Sequence, residues 1–200
     1  MANLDKPFGL RPVKHLNGNP WNGAVNKYVI LAATNLTYGL YVGDPVIRLS
    51  TATVEGIPHV TEATVGATNR ITGVIVGFEP DPMNLHLSYR ATGTASADRV
   101  VYVCDDPDVV FEIMDDGVVV LAVAAIVGLN ADLLRDVTGV NNGYISGIAL
   151  DTSTPAADAT YQLLVRRAAQ REGNTAGIAH CVWEVLINLH TERSGAIAGI

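Results

Sequence analysis

Short apolar runs with a two-residue period dominate this chain of 200 residues from Tyr28 onward. In residues 85–90 apolar and polar side chains alternate, and residues 71–79 are rich in β-branched side chains. This period is typical of strands that bury one face and expose the other. Turn-forming residues separate the runs at intervals of roughly 8–14 residues. The pattern predicts an all-β fold of roughly nine to eleven short strands, an antiparallel β-barrel or sandwich with little helix.

The connections between the predicted strands carry signals of their own. The Asp-Asp-Pro-Asp sequence at residues 105–108 favours a hairpin or a corner between two strands. Residues 124–134 are compatible with a short helix or a turn, because Ala and Leu favour helix whereas Gly128 favours a turn. The Asn142-Gly143 pair favours a type I′ hairpin. Further strands are predicted at residues 99–104, 109–114, 118–123, 144–150, 161–167 and 180–190.

The first 27 residues differ from the rest of the chain. Prolines and glycines interrupt them, which excludes a helix and disfavours a continuous strand. We therefore expect an extended N-terminal arm at residues 1–27, a β-barrel or sandwich domain at 28–190 and a C-terminal tail at 191–200. The large apolar side chains of the arm need burial against another surface. The residues expected to contact a partner are Phe8, Leu10, Arg11 and Trp21.

Charge composition restricts the partners that the chain can bind. The net charge is −7, and the 13 Lys and Arg residues are scattered along the sequence. Binding to phosphates requires clustered cations, and the tightest group is Arg166, Arg167 and Arg171. We therefore expect no nucleic-acid partner. The combination of 48% hydrophobic and 16% charged residues indicates apolar surface that is buried between subunits, and so predicts an oligomer.

The cysteines and the longest apolar run indicate where the protein is made. Cys104 and Cys181 lie far apart in strand-like runs, and we expect two buried, reduced thiols. The apolar run at residues 118–129 is shorter than the roughly 20 residues of a membrane-spanning helix. The first residues have no signal-peptide character. The sequence therefore predicts synthesis in a cytoplasm and no membrane partner.

A search for catalytic motifs finds no dinucleotide-binding fingerprint, phosphate-binding loop or nucleophile elbow. The five histidines have no metal-ligand spacing. Six carboxylates at residues 105–116 offer oxygen ligands of the kind that Ca²⁺ takes, but they lack the EF-hand pattern and are also typical of solvated turns. We expect no catalytic residues, no cofactor and no resident metal.

Six short segments form a distinctive set in their order along the chain. They are DKPFGLRP at residues 5–12, NPWNG at 19–23, GDPV at 43–46, GVIVGFEP at 73–80, YVCDDPD at 102–108 and WEVLIN at 183–188. In this order they resemble virion proteins of tailed bacteriophages, including phages of cyanobacteria and marine bacteria. The resemblance is to the capsid cement or decoration type, and it covers most of the chain.

The resemblance implies a non-enzymatic protein that binds the outer surface of the major capsid shell. It implies a homotrimer that stabilises the shell against the pressure of the packaged DNA. The expected location is the capsid outer surface of the virion. Two alternatives remain open: another virion component, such as a head-fibre, tail or baseplate protein, and a carbohydrate-binding β module.

Overall fold

The computed structural model describes residues 2–135, 145–193, 195 and 199. Within these residues the chain forms twelve strands and one helix of four residues, so the predicted all-β fold class is confirmed. The predicted Asn142-Gly143 hairpin lies outside the described residues. The elements are β1 (Arg11–His15), β2 (Asn26–Ile30), β3 (Pro45–Ala52), β4 (Pro58–Glu62), β5 (Gly73–Phe78), β6 (Arg99–Cys104), β7 (Val109–Met114), α1 (Val123–Ile126), β8 (Asn130–Ala131), β9 (Leu133–Arg135), β10 (Ile148–Leu150), β11 (Leu163–Ala168) and β12 (Val182–Ile187).

Five strands close into a small barrel in the order β2-β4-β3-β5-β6. All neighbouring pairs are antiparallel except β2 with β4, which run parallel where Val29 faces His59. A closed barrel leaves no unpaired strand edge. Its buried apolar residues include Ile30, Val46, Val60 and Val101, so alternate residues of these strands form one of the cores.

A five-stranded antiparallel sheet, in the order β1-β7-β12-β11-β8, packs over the larger core. Its inner face is built from alternate residues, of which Phe111, Trp183 and Val185 are examples. The indole Nε1 of Trp183 donates a hydrogen bond of 2.9 Å to the buried carboxylate of Asp115. The remaining strands, β9 and β10, pair with each other as a ribbon.

The barrel and the sheet are joined at a corner. Residues 105–108 lead from β6 of the barrel directly into β7 of the sheet, so the second of the two predicted alternatives, a corner, is the observed one. The N-terminal segment also reaches the barrel side, since the Leu10 amide donates to the Gly43 carbonyl at 2.9 Å. Gly9 has φ +71°, and a Cβ there would lie 2.3 Å from that carbonyl oxygen. Only glycine fits this approach.

The expected extended arm is not confirmed. Within the predicted arm, β1 pairs with β7, and Leu10 is only 1% exposed in the larger core. Pro12 is compatible with β1 because this strand lies at the sheet edge, where a missing amide donor is tolerated. The interruptions by Pro and Gly therefore shorten the strand but do not prevent it.

The chain itself covers both edges of the five-stranded sheet. At the β1 edge, the His15 amide donates to Asn19 at 2.8 Å, and the Trp21 amide donates to Val13 at 3.1 Å. At the β8 edge, the backbone groups of Asn130 and Ala156 exchange hydrogen bonds of 2.9 and 3.0 Å. Part of the backbone at each edge therefore has hydrogen-bond partners within the chain.

The predicted strands divide into two groups. The predicted strands that correspond to β5, β6, β7, β11 and β12 are confirmed, and so is the antiparallel pairing of β11 with β12. The strands predicted at residues 85–90 and 118–123 are wrong, because both segments lie outside regular sheets. Residues 124–134 hold the end of α1 followed by β8 and part of β9. The later strand β10 is shorter than the predicted run.

Both cysteines are buried and free, as expected from the sequence. Burial raises the pKa of Cys104 to about 12 and that of Cys181 to about 11. Both thiols are therefore protonated and poorly nucleophilic near neutral pH. No helix among the described residues is long and apolar enough to cross a membrane.

Candidate partner interface

A row of charged residues crosses the outer face of the five-stranded sheet. Strand register places Arg11 of β1 opposite Glu112 of β7, and Glu112 opposite Glu184 of β12. Arg167 of β11 follows opposite Glu184. Two like charges directly opposite each other destabilise a sheet. The two central glutamates therefore depend on the cations that flank them.

Glu184 is held by two cations from the strands on either side. Arg167 donates to it through Nε at 2.7 Å and through Nη2 at 3.1 Å, which is a bidentate contact. The Nζ of Lys14 lies 2.6 Å from the same carboxylate. Burial acts to raise the pKa of Glu184, but these hydrogen bonds and charges outweigh it and hold the pKa below its ordinary value. The carboxylate stays ionised and fixes both cations in place.

Glu112 is held in a similar way by Arg11 and Arg171. Arg11 Nη2 and Arg171 Nη1 both donate to Glu112 Oε2, the second at 3.1 Å. The ring of Phe8 lies beside both guanidinium groups, at 5.0 and 5.7 Å from its centroid. This geometry is that of a cation–π contact. Phe8 in turn packs on the apolar residues Met114, Ala169 and Val182.

Two β-bulges bring additional cations to this face. The register shifts between Pro12 and Lys14 in β1, and again between Val165 and Arg167 in β11. An extra residue in a strand interrupts the alternation of side chains between the two faces. Regular alternation from Arg11 would turn Lys14, three residues later, to the opposite face. The bulge instead places Lys14 on the same face as Arg11, where it reaches Glu184. In β11 the consecutive residues Arg166 and Arg167 are both exposed.

We call this surface the charged face. It comprises five cations (Arg11, Lys14, Arg166, Arg167 and Arg171) and two carboxylates (Glu112 and Glu184), an excess of three positive charges on a chain whose net charge is −7. A groove of about 330 Å³ opens on it, lined by Lys14, His15, Leu16, Gly18, Arg166, Arg167 and Glu184. The face combines cations, four of them held by carboxylates, with a depression that can accommodate a side chain.

The structure separates the four residues that were predicted to contact a partner. Phe8 and Arg11 belong to the outer side of the sheet, where they contact each other. Leu10 belongs to the larger core and is only 1% exposed, so its burial is provided by the chain itself and not by a partner. Trp21 packs against the same core and donates from Nε1 to the Ala24 carbonyl at 3.3 Å. Only two of the four residues are thus placed at a surface with cations.

Sequence reasoning missed most of the charged face. Lys14, Glu112 and Glu184 are distant in sequence, and only strand register brings them together. One signal was available: two adjacent arginines, Arg166 and Arg167, interrupt the alternation of an apolar strand, as a β-bulge does. The group of three arginines was noted in the sequence, but its position beside β1 could not be derived from spacing.

The carboxylates of residues 105–116 do not converge on one point. Asp105 accepts hydrogen bonds from Asn26 and Tyr28, and Asp108 pairs with Arg193 at 2.5 Å. The others interact elsewhere: Asp106 with His15, Glu112 with Arg11 and Arg171, Asp115 with Trp183, and Asp116 with Thr152. Among the described residues there is no group of three or more His, Cys, Asp or Glu side chains placed to hold a metal ion.

A buried histidine makes stability depend on pH. Burial lowers the pKa of His190 below its ordinary value of 6.5, although the charges of Glu192 and Asp105 act in the opposite direction. The Glu192 amide donates to Nδ1 of this ring at 3.0 Å, which favours the neutral form. The folded protein therefore holds this proton less tightly than the unfolded chain does.

We expect the stability of the wild type to fall, relative to His190→Gln, as the pH drops below 6.5 towards the folded-state pKa. The difference arises because the unfolded chain takes up the proton first, with a slope of at most about 1.4 kcal/mol per pH unit. Urea unfolding at a series of pH values measures it. The exposed His86→Gln variant is the control. Parallel profiles for the wild type and His190→Gln would contradict the expectation.

Comparison of the chain with protein families, with curated proteins and with solved structures finds no match.

Proposed function

We propose that the protein is a non-enzymatic capsid cement protein of a tailed bacteriophage, bound to the outer surface of the major capsid shell as a homotrimer. The observation that carries the proposal is the charged face, a sheet surface with five cations, four of which are held in position by carboxylates. The resemblance of six sequence segments to virion proteins supplies the identity of the shell. A cement protein adds an interface across subunit boundaries that expansion of the shell has to break.

The charged face suits permanent attachment because its side chains are already ordered. A long Arg or Lys side chain normally loses rotamer entropy when it is immobilised in an interface. Here Glu184 holds Arg167 and Lys14, and Glu112 holds Arg11 and Arg171. Rigid strands carry all of them except Arg171. Much of the rotamer entropy of these side chains is therefore lost when the protein folds, and its loss does not weaken binding to a partner.

Exposed apolar surface supports the proposed contact between copies. Val118, Val119 and Val120 are 74%, 41% and 60% exposed, and residues 117–130 contain no Asp, Glu, Lys or Arg. Contiguous exposed apolar residues are typical of sites of protein association. A surface without charge also allows copies of an acidic chain to approach each other without repulsion.

The two tryptophans give no comparable support to the carbohydrate-binding alternative. Such a module needs an exposed aromatic platform on which a sugar ring can stack. Trp183 is only 1% exposed, and Trp21 packs against the core. Both tryptophans therefore act in the packing of the domain.

The proposal predicts saturable binding of the purified protein to capsid shells that lack it. We expect symmetric density in threes on the outer surface, with hundreds of copies in each particle, because a cement protein covers the whole shell. Electron microscopy of shells titrated with the protein measures both the position and the number of copies. A dozen copies or fewer at one vertex would indicate a tail or baseplate component. Absence of binding would contradict attachment to the shell.

A further inference from the structure

We infer that the charged face binds a protein surface that presents discrete carboxylates. This inference rests on the proposed function in one respect, since the shell protein is the expected bearer of that acidic surface. The face is positive while the chain as a whole carries −7, so its charge is opposite to that of the remaining surface. Such a distribution orients the protein as it approaches an acidic partner.

The spacing of the charges favours carboxylates over a continuous phosphate backbone. Arg11 and Arg167 lie on strands that are separated by β7 and β12. Three strand spacings place their backbones about 14 Å apart. Glu112 and Glu184 lie between them, so the positive charge of the face is divided between two margins, one at β1 with Arg11 and one at β11 with Arg166 and Arg167. Acidic side chains of a folded partner can reach the two cationic margins without passing over these glutamates.

The groove lies at the margin formed by Arg166 and Arg167, and its shape suits a single acidic side chain. Lys14, Arg166 and Arg167 line it, and Gly18 leaves room at its wall. Its volume of about 330 Å³ is ample for an Asp or Glu side chain together with the water around it. Arginine forms planar, bidentate contacts with carboxylates, so two arginines at one groove suit this ligand.

Arg166 is the cation that is available to a partner. Lys14 and Arg167 both hold Glu184, whereas Arg166 has no ion-pair partner among the described residues. It is the additional residue of the β11 bulge and is exposed to solvent. A change at this position therefore alters the binding charge without breaking an internal ion pair.

The test compares Arg166→Glu with Arg48→Glu in the 200-residue chain. Arg48 is the matched control because it lies on barrel strand β3, is exposed to solvent as Arg166 is, and has an ion-pair carboxylate only at 3.9 Å. Binding to immobilised poly-L-glutamate is measured by surface plasmon resonance at several salt concentrations. We expect Arg166→Glu to weaken binding about tenfold and Arg48→Glu to leave it within about twofold, as expected for a cation at the rim of an interface. Unchanged thermal unfolding verifies that both variants are folded, and Arg166→Ala provides a milder second variant.

Two outcomes would overturn the inference: equal effects of Arg166→Glu and Arg48→Glu, or tighter binding to an oligothymidylate of matched charge than to poly-L-glutamate. The same variants applied to capsid shells separate the two proposals. If Arg166→Glu attaches to shells as the wild type does, the inference fails and the cement function stands. If binding to poly-L-glutamate depends on Arg166 but the wild type does not attach to shells, the cement function fails and the acidic partner stands.

Discussion

Deletion of residues 2–24 is expected to abolish cooperative folding of the rest of the chain. The deletion removes β1 from the edge of the five-stranded sheet and removes Leu10 from the larger core. Loss of a buried leucine side chain alone costs about 2–5 kcal/mol, against a total stability of about 5–15 kcal/mol for a domain. The same deletion exposes the apolar residues on which Phe8 packs. Circular dichroism and thermal unfolding of the truncated protein measure the result.

Single substitutions in this segment provide the control for the deletion. Leu10→Ala is expected to lower the free energy of unfolding by about 2–5 kcal/mol, because Leu10 is 1% exposed. Leu4→Ala, at 68% exposure, is expected to change it by less than about 0.5 kcal/mol. A truncated protein that unfolds sharply near the wild-type temperature would show that the segment is an appendage and not part of the domain.

Replacement of Asp44 by Ala is expected to destabilise the protein by about 3–5 kcal/mol, because it breaks a buried ion pair. Asp44 is fully buried and lies 3.7 Å from Nη1 of Arg135, whose side chain is only 10% exposed. Ser146 Oγ donates to the carboxylate at 2.5 Å, and the Tyr41 amide donates to it at 2.8 Å. Burial raises the pKa of Asp44, while Arg135, Ser146 and Tyr41 oppose that rise.

Urea unfolding at neutral pH measures the effect of Asp44→Ala. The exposed Glu55→Ala variant removes a negative charge from the same barrel and is expected to have little effect. Asp44→Asn retains groups that can bond to Ser146 and Tyr41, so it should cost less than Asp44→Ala. Equal stability of Asp44→Ala and Glu55→Ala would mean that the pair with Arg135 contributes nothing.

The fold class was predictable because alternation of side chains is a local property of a strand. β5, β6 and β7 were found in this way, and so was the final pair β11 and β12. Alternation failed at residues 85–90, which form a loop pinned to the barrel through the backbone of Arg90 and Leu40. The guanidinium of Arg90 donates to the carbonyls of Ala91 and Gly93 at 2.7 and 3.1 Å. The alternation of residues 85–90 is therefore present without a strand, because the hydrogen bonds of a buried side chain hold the loop and alternation does not reveal them.

The candidate interface was less predictable because it depends on contacts between distant strands. The sequence grouped Phe8 and Arg11 with Leu10 as partner-contacting residues, and it could not show that Leu10 turns inward while Phe8 and Arg11 lie together on the outer side of the sheet. The bulges that bring Lys14 and Arg166 to the charged face depend on pairing with β7 and β12. The scattered cations of the sequence thus form a cluster only after the sheet has assembled.

The covered edges of the five-stranded sheet bear on how the protein survives at high concentration. An uncovered strand edge is a template on which identical chains can stack into cross-β fibrils, and crowding increases that hazard. Here the return of the chain through Asn19 and Trp21 occupies the edge of β1, and Ala156 occupies that of β8. These contacts reduce the length of free backbone at the two edges on which an identical chain could pair. The interrupted N-terminal sequence, with its prolines and turns, thus limits the part of the β1 edge that is open to pairing with another chain.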